Sequence, residues 1–234
     1  MMRKVAIMQP YLFPYIGYFQ LVNEVEKFVF YDDVNYIKGG WINRNKILIG
    51  KSPLYFSVPL AKASPNALIK DTRIDSSAYQ LWLKKFDKTL KMSFAKAPYF
   101  DETYQIILEI LTESNIEYIS ELASLSVVKI ADHLDLSTEF SHSSKEFRGT
   151  RDLERSERLI HISKALKATH YINVIGGMEL YDKDYFSGFS LHLLFLETNM
   201  NELPDDIGGY SIIQLLMNYG RKGVRQMLDF KRLL

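Results

Sequence analysis

Three segments of the sequence combine residue types that bind ligands or carry out catalysis, and each follows a short apolar run. The first segment, residues 9–18, reads QPYLFPYIGY and opens a stretch with helical spacing. Backbone amides at a helix N-terminus attract phosphate, and a glycine there lets the backbone approach a ligand closely. The segment predicts a ligand-binding turn, although the same residues suit a proline-shaped loop whose aromatic rings belong to the core. The candidate binding residues are Gln9, Tyr11, Tyr15, Gly17 and Tyr18.

The second segment, residues 32–45, reads DDVNYIKGGWINRN and begins with two adjacent acids. Carboxylates at the end of a strand can hold a metal ion, orient a hydroxyl or amine, or position a basic group. Asp32 and Asp33 are therefore the candidate catalytic residues. The cations that follow suit phosphate, and the amides and the tryptophan suit the polar edges and flat face of a sugar or base. These candidate binding residues are Lys38, Trp41, Asn43, Arg44 and Asn45. A polar turn with solvated charges is the alternative.

The third segment, residues 172–181, reads INVIGGMELY and brings a predicted strand into a glycine pair. Backbone amides at Gly176 and Gly177 can meet an anion there, although an ordinary strand-to-helix turn has the same pattern. The mixed charge run of residues 145–158 is predicted to be a solvated helix entrance. Ser143, Ser144 and Arg148 are further candidates to lie over a phosphate.

The elements that must position these segments form a βαβ unit at the start of the chain. Residues 5–8 and 28–31 are apolar runs typical of buried strands, and residues 15–25 between them have helical spacing. Two strands joined in this way run parallel, so their carboxyl ends lie at one edge of the sheet, about 5–10 Å apart. We therefore expect the two acids and the QPYLFPYIGY turn to open toward one pocket.

Further apolar patterns predict an α/β fold with a mainly parallel, Rossmann-like sheet of about five strands. Strands are predicted at residues 55–60, 69–74, 139–142, 169–174 and 189–196, and helices at 77–95, 98–114 and 155–167. A last helix is predicted to begin at Ser211 and to stop at Gly220. We expect one domain over residues 1–234, with a helical insertion at about 77–135 that covers the sheet.

Composition and charge exclude several classes of function. The 234 residues carry a formal net charge of +1 and no cysteine, which argues against nucleic-acid binding and excludes thiolate and disulfide chemistry. No pair among the five histidines has metal-ligand spacing, so no metal site is predicted. Pro10 and Pro14 break the first apolar run too early for a signal peptide, and residues 189–196 are too short to span a membrane. We expect a cytoplasmic protein that binds neither nucleic acid nor membrane.

The chain resembles the WbqC-like family of bacterial surface-polysaccharide and O-antigen loci. The resemblance is carried by VAIMQPYLFPYIGYFQLV and KFVFYDDVNYIKGGWINRNKI, and further along by KAPYF, ERLIHISKALKATHYIN and YSIIQLLMNYG. The strand–Pro–x–Gly–helix opening is also similar to nucleotidyltransferases and pantothenate-synthetase-type ligases. Those proteins carry a His-x-x-His or His-x-Gly-His signature where this chain has YIGY, so the likeness implies a nucleotidyltransferase-like fold more than that activity.

The resemblance implies a transferase or ligase that acts on a nucleotide sugar in surface-polysaccharide biosynthesis, with acyl or aminoacyl transfer to an amino sugar as one such reaction. The nucleotide sugar is then the small-molecule partner, and ATP or magnesium is a candidate cofactor. The alternative is a non-catalytic nucleotide-sugar-binding or scaffold protein that works with a biosynthetic enzyme or as a homo-oligomer. The lack of histidine in the first turn favours this alternative, as does Lys85-Phe86 where family members often carry Lys-His.

Overall fold

A six-stranded sheet forms the centre of the computed structural model, which describes residues 3–62, 64, 66–204 and 209–234. The strands of the chain are β1 (Lys4–Met8), β2 (Lys27–Phe30), β3 (Arg44–Ile49), β4 (Ser52–Ser57), β5 (Glu139–His142), β6 (His170–Val174), β7 (His192–Thr198) and β8 (Lys231–Leu233). Six of them lie in the order β5-β2-β1-β6-β7-β8, and only β8 is antiparallel to its neighbour. The prediction of a mainly parallel α/β fold is confirmed. Strands β3 and β4 form a separate antiparallel hairpin.

The opening βαβ unit has the predicted form. Helix α1 (Ile16–Glu24) connects β1 to β2, and the two strands pair in parallel from Val5↔Lys27 to Met8↔Phe30. Successive side chains of β1 enter different halves of the core, because strand residues alternate between the two faces of a sheet. Ala6 packs in the larger apolar cluster beneath α1, and Val5 and Ile7 pack in the smaller cluster on the opposite face. The sheet is therefore covered on both faces, as expected for parallel strands.

Three long helices lie between the hairpin and β5: α2 (Ser76–Phe94), α3 (Phe100–Leu111) and α4 (Ile119–His133). Asp75 caps the N-terminus of helix α2, and its carboxylate accepts hydrogen bonds from the backbone amides of Ser77 and Ala78. The remaining helices are α5 (Ser143–Glu146), α6 (Arg155–Ala165), α7 (Lys183–Ser187) and α8 (Ile212–Met227). Across the described ranges, no helix combines the length and the apolarity needed to cross a bilayer.

One strand prediction was wrong, and another had the wrong start and the wrong place in the strand order. Residues 69–74 form a 3-10 turn at Ile69–Asp71 instead of a strand. The Thr72 hydroxyl closes this turn on the Leu68 carbonyl, and the Lys70 amide donates to the Asp32 carbonyl, so the segment braces the loop after β2. The strand predicted at 189–196 begins only at His192, because residues 188–191 complete the turn after α7. It is also not the last strand, since β8 pairs with it at the edge of the sheet.

Gly220 marks a kink instead of a helix end. Helix α8 leaves helical geometry at Gly220, where φ is 61°, and then resumes to Met227. A Cβ atom at this position would meet the ring of Tyr99 at 2.5 Å, so the glycine allows both the backbone conformation and the close packing.

The strand order creates a switch point between β1 and β6. From β1 the chain builds outward through β2 to β5 on one side, and from β6 it builds through β7 on the other. The connections leave the sheet in opposite directions at this point, which opens a crevice at the carboxyl ends of the two strands. Ligands of open α/β sheets bind in such crevices.

Candidate functional site

A cleft of about 770 Å³ occupies the switch point at the carboxyl ends of β1, β2 and β6. We call it the switch-point cleft. It is lined by residues from the turns after all three strands and from the start of α6. The polar and glycine residues of its lining are Gln9, Tyr11, Tyr31, Asp33, Asn35, Arg151, Arg155, Arg158, Asn173, Gly176, Gly177 and Tyr181. The predicted meeting of the first two sequence segments is thus confirmed, and the third segment joins them.

A buried ion pair forms one wall of the cleft. Arg158 on α6 donates from Nη2 to Oδ2 of Asp33 at 2.6 Å, and both side chains are 3% exposed. The Arg158 guanidinium also donates from Nε to the Thr150 hydroxyl at 3.1 Å and lies 4.5 Å above the ring of Tyr31. The Ser143 hydroxyl donates a short hydrogen bond to the second oxygen of Asp33. The charge of Asp33 is therefore neutralised by a guanidinium held in one orientation.

Two further arginines give the cleft a net positive charge. Arg151 and Arg155 line the cleft and are exposed, and neither forms an ion pair with a carboxylate in the part of the chain that the structure describes. Burial raises the pKa of Tyr31, although the nearby Arg158 opposes that change. The Tyr31 phenol is thus protonated near neutral pH and can donate a hydrogen bond. An anionic ligand would meet the guanidinium groups of Arg151 and Arg155 and the phenolic donor of Tyr31.

The β6 side of the cleft is built for close approach of the backbone. A Cβ atom on Gly177 would lie 2.7 Å from Nδ2 of Asn173, whereas a Cβ atom on Gly176 would meet nothing within 4 Å. The side-chain oxygen Oδ1 of Asn173 accepts from the backbone amide of Val174 at 2.8 Å, which fixes the side chain at the end of the strand. The lack of a side chain at Gly177 therefore leaves room for the Asn173 amide, and the space beside Gly176 is open.

Of the residues predicted in the turn after β1, two line the cleft and three support the turn. Gln9 and Tyr11 line the cleft. Tyr18 is fully buried, and its hydroxyl donates to the Gln9 carbonyl at 2.9 Å, so it supports the turn from below. Gly17 lies against the ring of Tyr15, where a Cβ atom would come within 2.5 Å of a ring carbon. Tyr15, Gly17 and Tyr18 therefore shape the turn from positions outside the lining of the cleft.

The structure does not bring the predicted residues of the 38–45 segment into the cleft. Lys38 is exposed in a turn, and the Arg44 guanidinium lies between the rings of Trp41 and Tyr55 at 5.3 and 5.5 Å. Both asparagines brace the backbone. Asn43 donates to the Val58 carbonyl, and Asn45 donates to the carbonyls of Leu12 and Phe13.

Asp32 lines a different pocket from its neighbour Asp33, although the Ser143 hydroxyl lies within hydrogen-bond distance of both carboxylates. Asp32 is buried, and it accepts hydrogen bonds from Nδ1 of His142 at 2.8 Å and from the backbone amide and hydroxyl of Ser144 at 3.0 and 2.9 Å. Burial alone would raise the pKa of Asp32, but the hydrogen bonds from His142 and Ser144 outweigh it and hold the pKa below its ordinary value. The carboxylate is therefore ionised near neutral pH.

The two acids do not form a shared magnesium site in this arrangement, because Arg158 holds one carboxylate and His142 and Ser144 hold the other. Within the described ranges, no three histidine, aspartate or glutamate side chains group as metal ligands.

The sequence profile of the WbqC-like protein family matches residues 9–226, a span that includes every strand of the switch-point cleft except β1. The chain belongs to the WbqC-like protein family. A relative in Mycobacterium tuberculosis (strain ATCC 25618 / H37Rv), named "Uncharacterized protein Rv1507c", is 28% identical over 229 residues, which cover 94% of this chain and 95% of that protein. No solved structure matches the chain.

In this WbqC-like chain, the three arginines and Tyr31 of the cleft were not among the residues predicted from the sequence. Arg151, Arg155 and Arg158 lie in or beside the charge run that was predicted to be a solvated helix entrance. One signal was available, because Arg155 and Arg158 are three residues apart and share a face of α6. Two positive charges on one face of a helix suit the binding of an anion. An ordinary surface helix more often carries positive and negative charges on the same face.

Proposed function

We propose that the protein is a cytoplasmic transferase or ligase that binds a nucleotide-linked sugar in the switch-point cleft, in the biosynthesis of a surface polysaccharide. The observation that carries this proposal is the arginine-lined cleft at the switch point of a parallel sheet. A diphosphate carries charge that the guanidinium groups of Arg151 and Arg155 complement, and arginine binds phosphate oxygens in a fork. The sugar part of the ligand is an expectation that the resemblance to the WbqC-like family implies.

The lining assigns different tasks to the two ends of such a ligand. In the proposed complex, Arg151 and Arg155 take the diphosphate, and the protonated phenol of Tyr31 donates to one of its oxygens. The amide groups of Gln9 and Asn173 are the groups suited to the polar edges of a base or sugar. Arg158 contributes a fixed positive charge but has little freedom to move, because Asp33 and Thr150 hold it.

A non-catalytic binding or scaffold protein is the second candidate, and one observation favours it. The carboxylate in the cleft is held by Arg158, and no histidine lines the cleft among the described residues. Among the described residues, the lining of the cleft thus offers no histidine or unpaired carboxylate to act as a general base. In this reading the protein holds a nucleotide sugar for a biosynthetic enzyme or within a homo-oligomer.

Calorimetric titration with UDP-linked and dTDP-linked hexoses and amino sugars, and with ATP and magnesium, tests the proposal. We expect one of these ligands to bind, and Arg151→Gln combined with Arg155→Gln to weaken it about 10- to 100-fold, since a hydrogen bond to a charged group contributes about 1.5–3 kcal/mol. Lys84→Gln combined with Lys85→Gln on α2 removes the same charge away from the cleft and is the control.

Equal affinity of the cleft variant and the control variant would place the nucleotide elsewhere. Mass spectrometry of the bound ligand after incubation with candidate donors separates the two functions. A transferase or ligase changes the mass of the sugar, whereas a binding protein returns it unchanged.

A further inference from the structure

A second pocket, of about 540 Å³, lies beyond β2 on the side away from the switch-point cleft. We call it the His142 pocket. The end of β5 and the start of α5 form one side of it, and α4 and the turn at Ile69–Asp71 form the other. Its polar lining includes Asp32, Lys70, Tyr118, Ser120, Ser124 and His142.

The histidine in this pocket has the surroundings of a general base. His142 is the last residue of β5, its ring centroid lies 5.2 Å from that of Phe30, and its side chain is 22% exposed. Its Nδ1 lies 2.8 Å from Oδ2 of Asp32. An ionised carboxylate only accepts hydrogen bonds, so Nδ1 carries the proton, and Nε2 of the neutral ring has a free lone pair. A carboxylate that orients a histidine in this way is the arrangement found in catalytic triads.

The Asp32 carboxylate is held by Ser144 as well as by His142. Asp32 is 3% exposed and also accepts from the backbone amide and hydroxyl of Ser144. Its backbone carbonyl accepts from the Lys70 amide at 2.8 Å. Side chain and backbone are thus both fixed, which leaves the ring of His142 as the part that can respond to a ligand.

A buried hydroxyl in the same pocket lacks a partner. Ser124 on α4 is 4% exposed, lines the His142 pocket, and its Oγ makes no hydrogen bond in the described part of the chain. Buried polar groups in folded proteins almost always have a partner, so an unsatisfied hydroxyl beside an oriented histidine points to a polar ligand group.

A groove joins the two sites. A hollow of about 560 Å³ is lined by Asp33, Lys70, Ser144, Lys145, Arg148 and Arg151. It shares Arg151 with the switch-point cleft, and it shares Lys70, Ser144 and Lys145 with the His142 pocket. Of its four cations, Lys70 is paired with the exposed Asp71, and the one acid in the lining, Asp33, is neutralised by Arg158. Lys145, Arg148 and Arg151 leave the groove with a net positive charge. The whole path suits a ligand with phosphate groups at its centre.

We propose that His142, oriented by Asp32, is the proton acceptor of a second subsite, which takes the hydroxyl-bearing or amine-bearing part of a ligand whose phosphate groups lie along this groove. A proton passes to Nε2 from the hydroxyl, or from the ammonium form of the amine, and the electron pair of the broken O–H or N–H bond stays on the oxygen or nitrogen. The ring then holds a proton on each nitrogen, and Asp32 stabilises its positive charge. That the ligand carries a nucleotide is an inference that rests on the proposed function. The orientation of His142 and the positive charge of the groove are independent of it.

Nitrogen-15 NMR of the imidazole rings in the full chain tests the orientation without any ligand. The signals of His142 are assigned by comparison with His142→Gln. We expect the tautomer with hydrogen on Nδ1 in the parent at pH 8, and its loss in Asp32→Asn, because an amide can donate to Nδ1. Asp71→Asn, at the border of the same pocket, should leave the tautomer unchanged. The opposite tautomer in the parent would overturn the proposal.

Carbethoxylation by diethylpyrocarbonate, read by peptide mass spectrometry, tests the subsite. We expect inorganic tripolyphosphate and UDP-N-acetylglucosamine to slow modification of His142 severalfold and to leave the exposed His161 unaffected. Charged groups at the pocket are Lys70, Asp71, Glu121 and Lys145, so all reactions are compared at one pH. Protection by tripolyphosphate alone supports the subsite and counts against UDP-N-acetylglucosamine as its ligand. Protection by neither probe overturns the subsite.

Discussion

Asp32 and Asp33 are adjacent in sequence and equally buried, yet they serve two different regions. On the switch-point side, Asp33 holds a guanidinium in a buried ion pair. On the His142 side, Asp32 holds an imidazole and the Ser144 hydroxyl. Arginine stays charged at any physiological pH, whereas histidine can exchange a proton near neutrality. The first region is therefore built for constant positive charge, and the second is built for proton transfer.

This difference is decided by residues far along the chain. The partner of Asp33 lies 125 residues away and the partner of Asp32 lies 110 residues away. Identical side chains thus acquire separate roles from what β5 and α6 place against them. Each of the following predictions tests whether the two regions are as distinct as their partners indicate.

The largest expected effect is on stability, from loss of the buried pair. Arg158→Met leaves Asp33 buried without its cation, and we expect the free energy of unfolding to fall by about 3–5 kcal/mol. His142→Gln, which leaves Ser144 on Asp32, should cost only about 1 kcal/mol. Urea denaturation of both variants at pH 7 measures the difference. Similar losses in the two variants would contradict the contrast between a fixed ion pair and an exchangeable histidine.

The strands and turns around the cleft were predictable from the sequence, because apolar runs and proline-glycine signals are local. The βαβ unit, the turn after β1, the acids after β2 and the glycine pair after β6 were all found in this way. Parallel strands end at one edge of the sheet, so their convergence followed from topology alone.

The side-chain partners were not predictable by the same reasoning. Asn43 and Asn45 have the right chemistry for a ligand, but their amides are occupied by backbone carbonyls of other loops, including that of Phe13. Arg151, Arg155 and Arg158 have the composition of a solvated run, and only the placement of α6 beside the switch point turns them toward a cleft. Residue type states which hydrogen bonds a group can make, and the tertiary fold decides which remain free.

A smaller effect is expected from a single methyl group on the β6 side of the cleft. Gly177→Ala would force Asn173 from its position, since the new Cβ would lie 2.7 Å from its amide nitrogen. We expect about 10-fold weaker binding of the ligand identified by calorimetry, equivalent to about 1.4 kcal/mol. Gly176→Ala adds the same methyl group to open space and should bind nearly as the parent does. If the two variants bind alike, Asn173 does not contact the ligand.

The smallest expected effect is the pH dependence of the contribution that Asp32 makes to stability. The pKa of Asp32 is below its ordinary value of 3.8 in the folded chain, although burial opposes this, because hydrogen bonds from His142 and Ser144 favour the ionised form. The unfolded chain therefore binds this proton first as pH falls, so the contribution of Asp32 to stability is present above about pH 4 and is lost as pH drops through the folded pKa. The side chain that replaces it in Asp32→Asn cannot ionise.

We expect the free energy of unfolding of the parent to exceed that of Asp32→Asn at pH 6, and this difference to narrow as pH falls below about 4. Unfolding free energies from urea titrations at pH 6, 5, 4 and 3 give both curves. Asp71→Asn, which removes a surface partner of Lys70, serves as the control for a general change in charge. A difference in unfolding free energy that stays constant from pH 6 to pH 3 would show that Asp32 stabilises the fold only through its shape and neutral hydrogen bonds. The orientation of His142, which is argued from an ionised Asp32, would then lose its basis.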